Sequence, residues 1–351
     1  MKVGVSAVSK ASGVPYRYKI GRGILKKKVH FRKYDLDKDS IRGFLERDIG
    51  RIFNRRYKDE RDLILNSGFT IYIGDKSRLF DDLESRKSAD FLLLTYLGKM
   101  RNPLRANYNN VDLSNLIFVN RLNNFARLLQ EVGGKRSKVM IAGENKTFDY
   151  DMFRFGSSRS AEIIGQTRRL AVEFGMKNVE IQPLEKFLGG SAYRNSFEES
   201  LDVLRRDAEV RNSKEFKTLF KVFKAATAPA PLREAVALYT TPSRSAEIDE
   251  AATESSLRYL AFQKARHETD FWGINKKFIR STVSVRKEVI TFKYEVGRLA
   301  PFQGISVLDG EVGTEFFYDV LCSIRGNNVT LPIGYYHKMP FLLDRKGVIG
   351  R

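Results

Sequence analysis

Three short apolar runs separated by two amphipathic stretches constrain this chain of 351 residues more than any other feature. Residues 90–97 (DFLLLTYL) and 138–142 (KVMIA) have the length and near-continuous apolarity of strands covered on both faces. A third short strand is expected at 179–181. Between the first two lies the clearest helical pattern, 112–132. There Phe118, Leu122, Phe125, Leu129 and Val132 recur at steps of four, three, four and three. Asp112 is placed to cap its start, and Gly133-Gly134 to end it. A second helix is expected over 160–174, with Gly175 as its C-cap. This β-α-β-α-β order predicts an α/β fold with a mostly parallel sheet and flanking helices.

The flanking segments read less regularly. A helix is expected over 40–57, where Ile41, Phe44, Leu45, Ile49, Ile52 and Phe53 form an apolar stripe. Short strands are expected at 63–65 and 70–73. Long helices are expected over 197–226 and 245–267, with APAPLR (228–233) breaking the pattern between them. The C-terminal part is strand-rich, with runs at 278–285, 289–296, 304–308, 316–321 and 329–333. Turn signals such as Asp309-Gly310 separate them, and some of these strands are expected to extend the main sheet in antiparallel fashion. The expected organisation is a basic N-terminal region, 1–62, and one α/β domain, 63–351, with a helical insertion at about 190–275.

Charge is the outlying element of composition. The chain holds 62 Lys and Arg against 42 Asp and Glu, a formal +20. Residues 1–60 hold 17 of those cations and 7 of those acids, so half the excess lies in this short segment. Such a balance attracts anions: nucleic acid, anionic membrane or phosphorylated small molecules. The single Cys322 excludes an intramolecular disulfide, and His30, His267 and His337 are too scattered to suggest a His-rich metal centre. No apolar run has the ~18 residues of a membrane span, and the first residues lack a signal-peptide core. A cytoplasmic protein is expected.

Common phosphate and nucleophile signatures are absent. Gly21-Arg22-Gly23 supplies only part of a dinucleotide loop, Gly133-Gly134-Lys135 is not a P-loop, and there is no GxSxG. The loop following the first buried strand is more informative. It carries Lys99, Arg101 and Arg105 and leads into the capped helix. Ligands of open α/β sheets bind at this edge, and a helix start favours an anion. An anion site and a solvated basic loop both satisfy these residues. The loop after the second strand carries Glu144, able to hold an amine or act as a base, or simply to occupy a surface turn. Arg258 on a helix and Arg280 at a strand start are either site cations or solvated charges. The N-terminal run Lys26-Lys27-Lys28, with Arg32, Lys33, Tyr34 and other aromatics, is compatible with nucleic-acid contact or with a solvated edge.

The stretch FLLLTYLGKMRNPLRANYNNVDLSNLIFVNRLNNF (91–125) resembles a region of the isonitrile synthase family. In that family a strand ends in a Lys-x-x-Asn-Pro loop, followed by an Asp-Leu-led helix. The matching residues here are Lys99, Asn102, Pro103, Asp112 and Leu113. SKVMIAGENKTFDYDMF (137–153) resembles the family's next strand, with Glu144, Lys146 and Phe148 after it. LRYLAFQKAR (257–266), IRSTVSV (279–285) and APFQGISVL (300–308) are similar to the helix, strand and turn that close the family's site. These are the enzymes related to the pyoverdine, paerucumarin and dityrosine biosynthetic proteins of secondary metabolism. The ordered matches cover about 90–310, and residues 1–80 carry none.

The resemblance implies a Rossmann-like enzyme that converts the α-amine of an amino acid, of the tyrosine or tryptophan class, to an isonitrile. Ribulose 5-phosphate is the implied one-carbon donor, and no metal or organic cofactor is implied. Substrate contacts are then expected from Lys99, Arg101, Asn102, Arg105, Lys146, Arg258 and Arg280. Catalytic positions are expected at Glu144, Ser284 and Gln303. Ser284 and Gln303 stand where many members of the family carry His, which leaves Glu144 as the best candidate base. Two alternatives remain: a nucleic-acid-binding protein working through residues 1–60, and a diverged relative without catalysis.

Overall fold

The computed structural model describes residues 6–7, 13–20, 23–53, 55–67, 70–73, 76–95, 111–143, 158–187, 190–227, 245–269, 276–282, 290–292, 305–308, 313–315, 317–344 and 348–349. The N-terminal part runs β1 (Ser6–Ala7), β2 (Gly13–Ile20), β3 (Gly23–Asp35), α1 (Lys38–Phe53), α2 (Glu60–Asn66), β4 (Thr70–Ile73) and α3 (Lys76–Ser85). The central part follows as β5 (Ser88–Thr95), α4 (Leu113–Gly133), β6 (Arg136–Gly143), α5 (Ser158–Glu173) and β7 (Val179–Pro183). Three helices come next: α6 (Ser191–Arg206), α7 (Lys214–Thr227) and α8 (Ser245–Glu268). The C-terminal part comprises β8 (Ile279–Thr282), β9 (Ile290–Phe292), β10 (Ile305–Val307), β11 (Gly313–Glu315), α9 (Phe317–Ser323), β12 (Asn328–Tyr336), β13 (Met339–Leu342) and β14 (Val348–Ile349).

The fold is α/β, and the expected parallel sheet lies at its centre. Its strand order is β4-β9-β8-β5-β6-β7. Strands β9, β8, β5, β6 and β7 are mutually parallel, while edge strand β4 is antiparallel to β9. Alternate residues of a strand face opposite sides. Phe91, Leu93, Val139, Ile141, Ile181 and Ile279 join the core formed with α4 and α5. Leu92, Leu94, Met140 and Ala142 face the other way, into a core built with Tyr193, Phe197, Leu257, Ala261 and Phe262 of α6 and α8. Helices α6 and α8 therefore cover the central strands β5 and β6 on this face of the sheet.

Helix α4 begins and ends as its residues dictate. The Asp112 side chain accepts from the Ser114 backbone N–H at the N-cap, with Asp112 itself in extended conformation. Gly134 takes φ +67°, and its N–H reaches the Gln130 carbonyl. That left-handed conformation is the reason for glycine there. Beyond its apolar stripe, α4 is buried almost all round, polar residues Asn115, Asn120, Arg121 and Asn124 included. The cause is its central position: it packs on β6 and also meets α1, α2, α5 and β13.

A second, mixed sheet has the order β1-β3-β12-β13-β10-β11, with β2 added to β3 and β14 to β12. Strands β3 and β12 pair in parallel, from Lys28 opposite Asn328 to Asp35 opposite Tyr335. Val29, Leu331, Ile333, Ile305, Val307 and Leu342 form its core with Val320, Leu321 and Ile324 of α9 and the turn after it. The two sheets share packing, because Leu36, Leu308, Tyr336, Met339 and Phe341 join the core of α4. Arg121 of α4 and Asp48 of α1 form a buried bidentate pair, with N–O separations of 2.8 and 2.6 Å.

Several elements differ from expectation. Residues 63–65 lie in helix α2, not in a strand. Asp59 caps that helix by accepting from the Asp62 N–H. Leu63 and Ile64 bury completely. A run of three apolar residues cannot by itself distinguish the two structures. The single helix expected over 197–226 is two helices, separated where Asp207 turns extended and a 3₁₀ turn, Val210–Asn212, follows. Residues 317–323 are helical, because Val320, Leu321 and Ile324 cover the mixed sheet at helical spacing. The strand-rich C-terminal part divides. Strands β8 and β9 extend the main sheet in parallel orientation, while β10–β14 build the mixed sheet.

Candidate functional site

The C-terminal ends of the parallel strands converge on one edge. Thr95 pairs with Gly143, Gly143 with Pro183, and Leu94 with Thr282. The chain therefore leaves β5, β6 and β8 side by side, at residues 96, 144 and 283. The two loops expected from the sequence to be neighbours begin at register partners. This is the edge at which open α/β sheets bind ligands.

Of the expected site residues, Lys99, Arg101, Asn102, Arg105, Glu144, Lys146, Ser284 and Gln303 lie outside the described residues. So does Phe148. Arg258 and Arg280 are described. Arg280 is half-buried on β8, opposite Leu92. Its position alternates with Ile279, so it shares the face covered by α6 and α8. Arg258 lies on α8, the helix that packs on that face. Its Nε donates to Glu254 Oε1 at 3.1 Å. Arg205 of α6 donates to the same oxygen, and this bond holds the Arg205 guanidinium above its ordinary pKa. Glu254 thus bridges two arginines and fastens α8 to α6. A substrate carboxylate at Arg258 would share that guanidinium with Glu254.

The structure also assembles a buried polar group that the sequence indicated only in part. Asp112, Ser114 and Ser306 are all fully buried. Asp112 Oδ1 accepts from the Ser114 backbone N–H at 3.1 Å, from Ser114 Oγ at 2.9 Å and from Ser306 Oγ at 3.0 Å. The cap of α4 is therefore tied to β10 of the other sheet. The segments immediately before these anchors, 96–110 and 293–304, carry Arg101 and Gln303. The capping role of Asp112 is readable locally, but the tie to Ser306 is not. Its one signal was a serine between Ile305 and Val307 in a buried strand. Ser281 Oγ similarly donates to the Leu92 carbonyl at 2.9 Å, joining β8 to β5.

Among the described residues, no group of three or more His, Cys, Asp or Glu side chains is placed to hold a metal ion. No helix among them is long and apolar enough to cross a membrane.

These features define an α/β protein with a Rossmann-like parallel sheet and a mixed second sheet. A solved structure with a similar arrangement is that of the PvcA protein from Pseudomonas aeruginosa. It superposes with a TM-score of 0.53 at 13% sequence identity, covering 85% of this chain and 98% of that one. At this identity the likeness shows a shared fold. No family model and no curated protein sequence matches the chain.

Proposed function

We propose that the chain is an isonitrile-synthase-like enzyme. In this reading the α-amine of an amino acid of the tyrosine or tryptophan class condenses with the C2 ketone of ribulose 5-phosphate. The C2 oxygen leaves as water, and cleavage of the C1–C2 and C2–C3 bonds with loss of a second water leaves C2 on the nitrogen while the other carbons depart as a one-carbon aldehyde and a three-carbon phosphate. The observation that carries the reading is the common edge of β5, β6 and β8, from which the segments bearing Lys99, Arg101, Asn102, Arg105, Glu144, Lys146 and Ser284 all depart. The fold shared with PvcA agrees with it.

A sugar phosphate needs a cationic cradle. Lys99, Arg101 and Arg105 would supply it at the start of α4, with Lys146 from the neighbouring segment, while Arg280 would reach the same edge from the face covered by α6 and α8. Arg258 would take the amino-acid carboxylate. Glu144 would hold the amine or move protons, and Ser284 and Gln303 would orient hydroxyl or carbonyl oxygens.

The test is incubation of the full chain with tyrosine or tryptophan and ribulose 5-phosphate, followed by mass spectrometry for the isonitrile. No product across a panel of amino acids and pentulose phosphates would overturn the activity. Arg101→Ala is expected to weaken sugar-phosphate binding by ~1.5–3 kcal/mol, the worth of a charge-assisted hydrogen bond. Unchanged binding would remove Arg101 from the cradle.

A further inference from the structure

The basic N-terminal segment is sorted by its strand register. Strand β2 pairs antiparallel with β3, setting Arg17 opposite Lys26, Pro15 opposite Lys28 and Gly13 opposite His30. On the other side of β3, Asn328, Thr330 and Pro332 of β12 stand opposite Lys28, His30 and Arg32. Register partners share a sheet face, and alternate residues of one strand share it too. One face therefore carries the positions of Arg17, Lys19, Lys26, Lys28, His30 and Arg32. None of the residues that the register places on this face of β2, β3 and β12 is Asp or Glu.

The opposite face is already used. Val29 and Phe31 pack beneath α9 in the core of the mixed sheet. Lys27 also points that way. It is buried, and its ammonium donates to the carbonyls of Ile324 and Gly326. Lys28 and Arg32, on the cationic face, are exposed. Arg32 stacks over the Tyr34 ring at 5.3 Å.

Like charges directly opposite each other on a sheet are unfavourable. Along the strand, alternate positions recur at ~6.7 Å. The Lys and Arg positions of this face, with His30 between Lys28 and Arg32 and no acid among the described residues that the register of β2, β3 and β12 places there, are stabilised by an external polyanion. We propose that this face of the β2–β3 ribbon docks the phosphate backbone of a nucleic-acid strand without base-sequence preference. An interfacial membrane site sets large apolar side chains beside its cations. Here Val29 and Phe31 are committed to the core, and the ring beside Arg32 is Tyr34, suited to base stacking. The proposal is independent of the enzymatic reading.

The experiment is fluorescence anisotropy of the full chain with a labelled mixed-sequence 20-nucleotide RNA strand, titrated between 50 and 200 mM salt. If four of these cations meet phosphates, affinity falls about 50-fold across that range, a log–log slope of about −2.8. Lys28→Glu with Arg32→Glu is expected to weaken binding about tenfold or more at 50 mM, and to reduce the slope by about 1.4. Lys214→Glu with Lys217→Glu makes the same charge change on exposed positions of α7, and is expected to stay within about twofold. Equal losses in both pairs would overturn the proposal, since net charge alone would then explain binding. Absence of salt-sensitive binding would overturn it too. So would Lys28- and Arg32-dependent binding to phosphatidylserine vesicles without binding to RNA or DNA. Should the glutamate pair fail to fold, Lys28→Gln with Arg32→Gln removes the same charges, and the same outcomes decide.

Discussion

Replacing Asp112 with alanine tests the tie between the cap of α4 and the mixed sheet. The carboxylate is fully buried, and among the described residues it accepts from the Ser114 N–H, Ser114 Oγ and Ser306 Oγ. Loss of an N-cap costs ~1 kcal/mol. Each buried hydroxyl deprived of a charged acceptor adds roughly 1–3 kcal/mol, less where it rotates to a new partner. Asp112→Ala is therefore expected to destabilise the chain by about 3–5 kcal/mol. Asp112→Asn retains an acceptor oxygen and is expected to cost about 1–2 kcal/mol. Ser306→Ala removes one charge-assisted bond, at about 1.5–3 kcal/mol. The assay is urea denaturation followed by circular dichroism, with midpoints compared at equal slope. A double-mutant cycle between positions 112 and 306 is expected to show coupling of ~1 kcal/mol or more. Additive effects, or an Asp112→Ala cost below ~1 kcal/mol, would refute the idea that this bond fastens α4 to the mixed sheet.

Two further outcomes are expected. Asp48→Ala leaves Arg121 buried without its bidentate partner and is expected to cost ~3–5 kcal/mol. Asp48→Leu with Arg121→Met is expected to recover most of that loss, because the desolvation penalty goes with the charges; denaturation midpoints of the two variants and the native chain decide. Burial, with the Glu173 carboxylate it donates to, raises the Tyr336 phenol well above its ordinary pKa. The phenol's contribution is complete below the unfolded pKa of ~10 and is lost as pH climbs from there toward the folded value. Stability should thus fall more steeply with alkali in the native chain than in Tyr336→Phe. Parallel alkaline denaturation curves for the two would contradict this linkage.

Local chemistry made much of the central sheet legible. Leu92, Leu93 and Leu94 in unbroken succession required cover on both faces, and the structure supplies α4 and α5 on one and α6 and α8 on the other. Asp112 and Gly134 mark their helix because caps depend on nearest neighbours. The shared edge for the loops at 96 and 144 followed from the parallel order alone. Where local information was thin, expectation failed. Leu63–Ile64 and Val320–Leu321 are too short to reveal a period, so what they pack against decided helix over strand. The candidate site was legible as positions on loops rather than as contacts. Arg258 illustrates the difference, because its partner Glu254 lies one turn away on the same helix, and Arg205 of another helix competes for that carboxylate.

The amino-acid sequence by itself determined the parallel α/β centre, the limits of α4, the edge from which the candidate site departs and the concentration of charge near the start. Periodicity, capping and composition act over a few residues and are written in consecutive letters. Only the tertiary structure decided that β3 pairs with β12 from the far end of the chain, that Ser306 meets Asp112, and that Lys27 turns inward while Lys28 faces out. Those outcomes depend on which long-range pairing buries Val29 and Phe31 beneath α9. Once that face is committed to the core, the pleat sends the alternate cations to the other side.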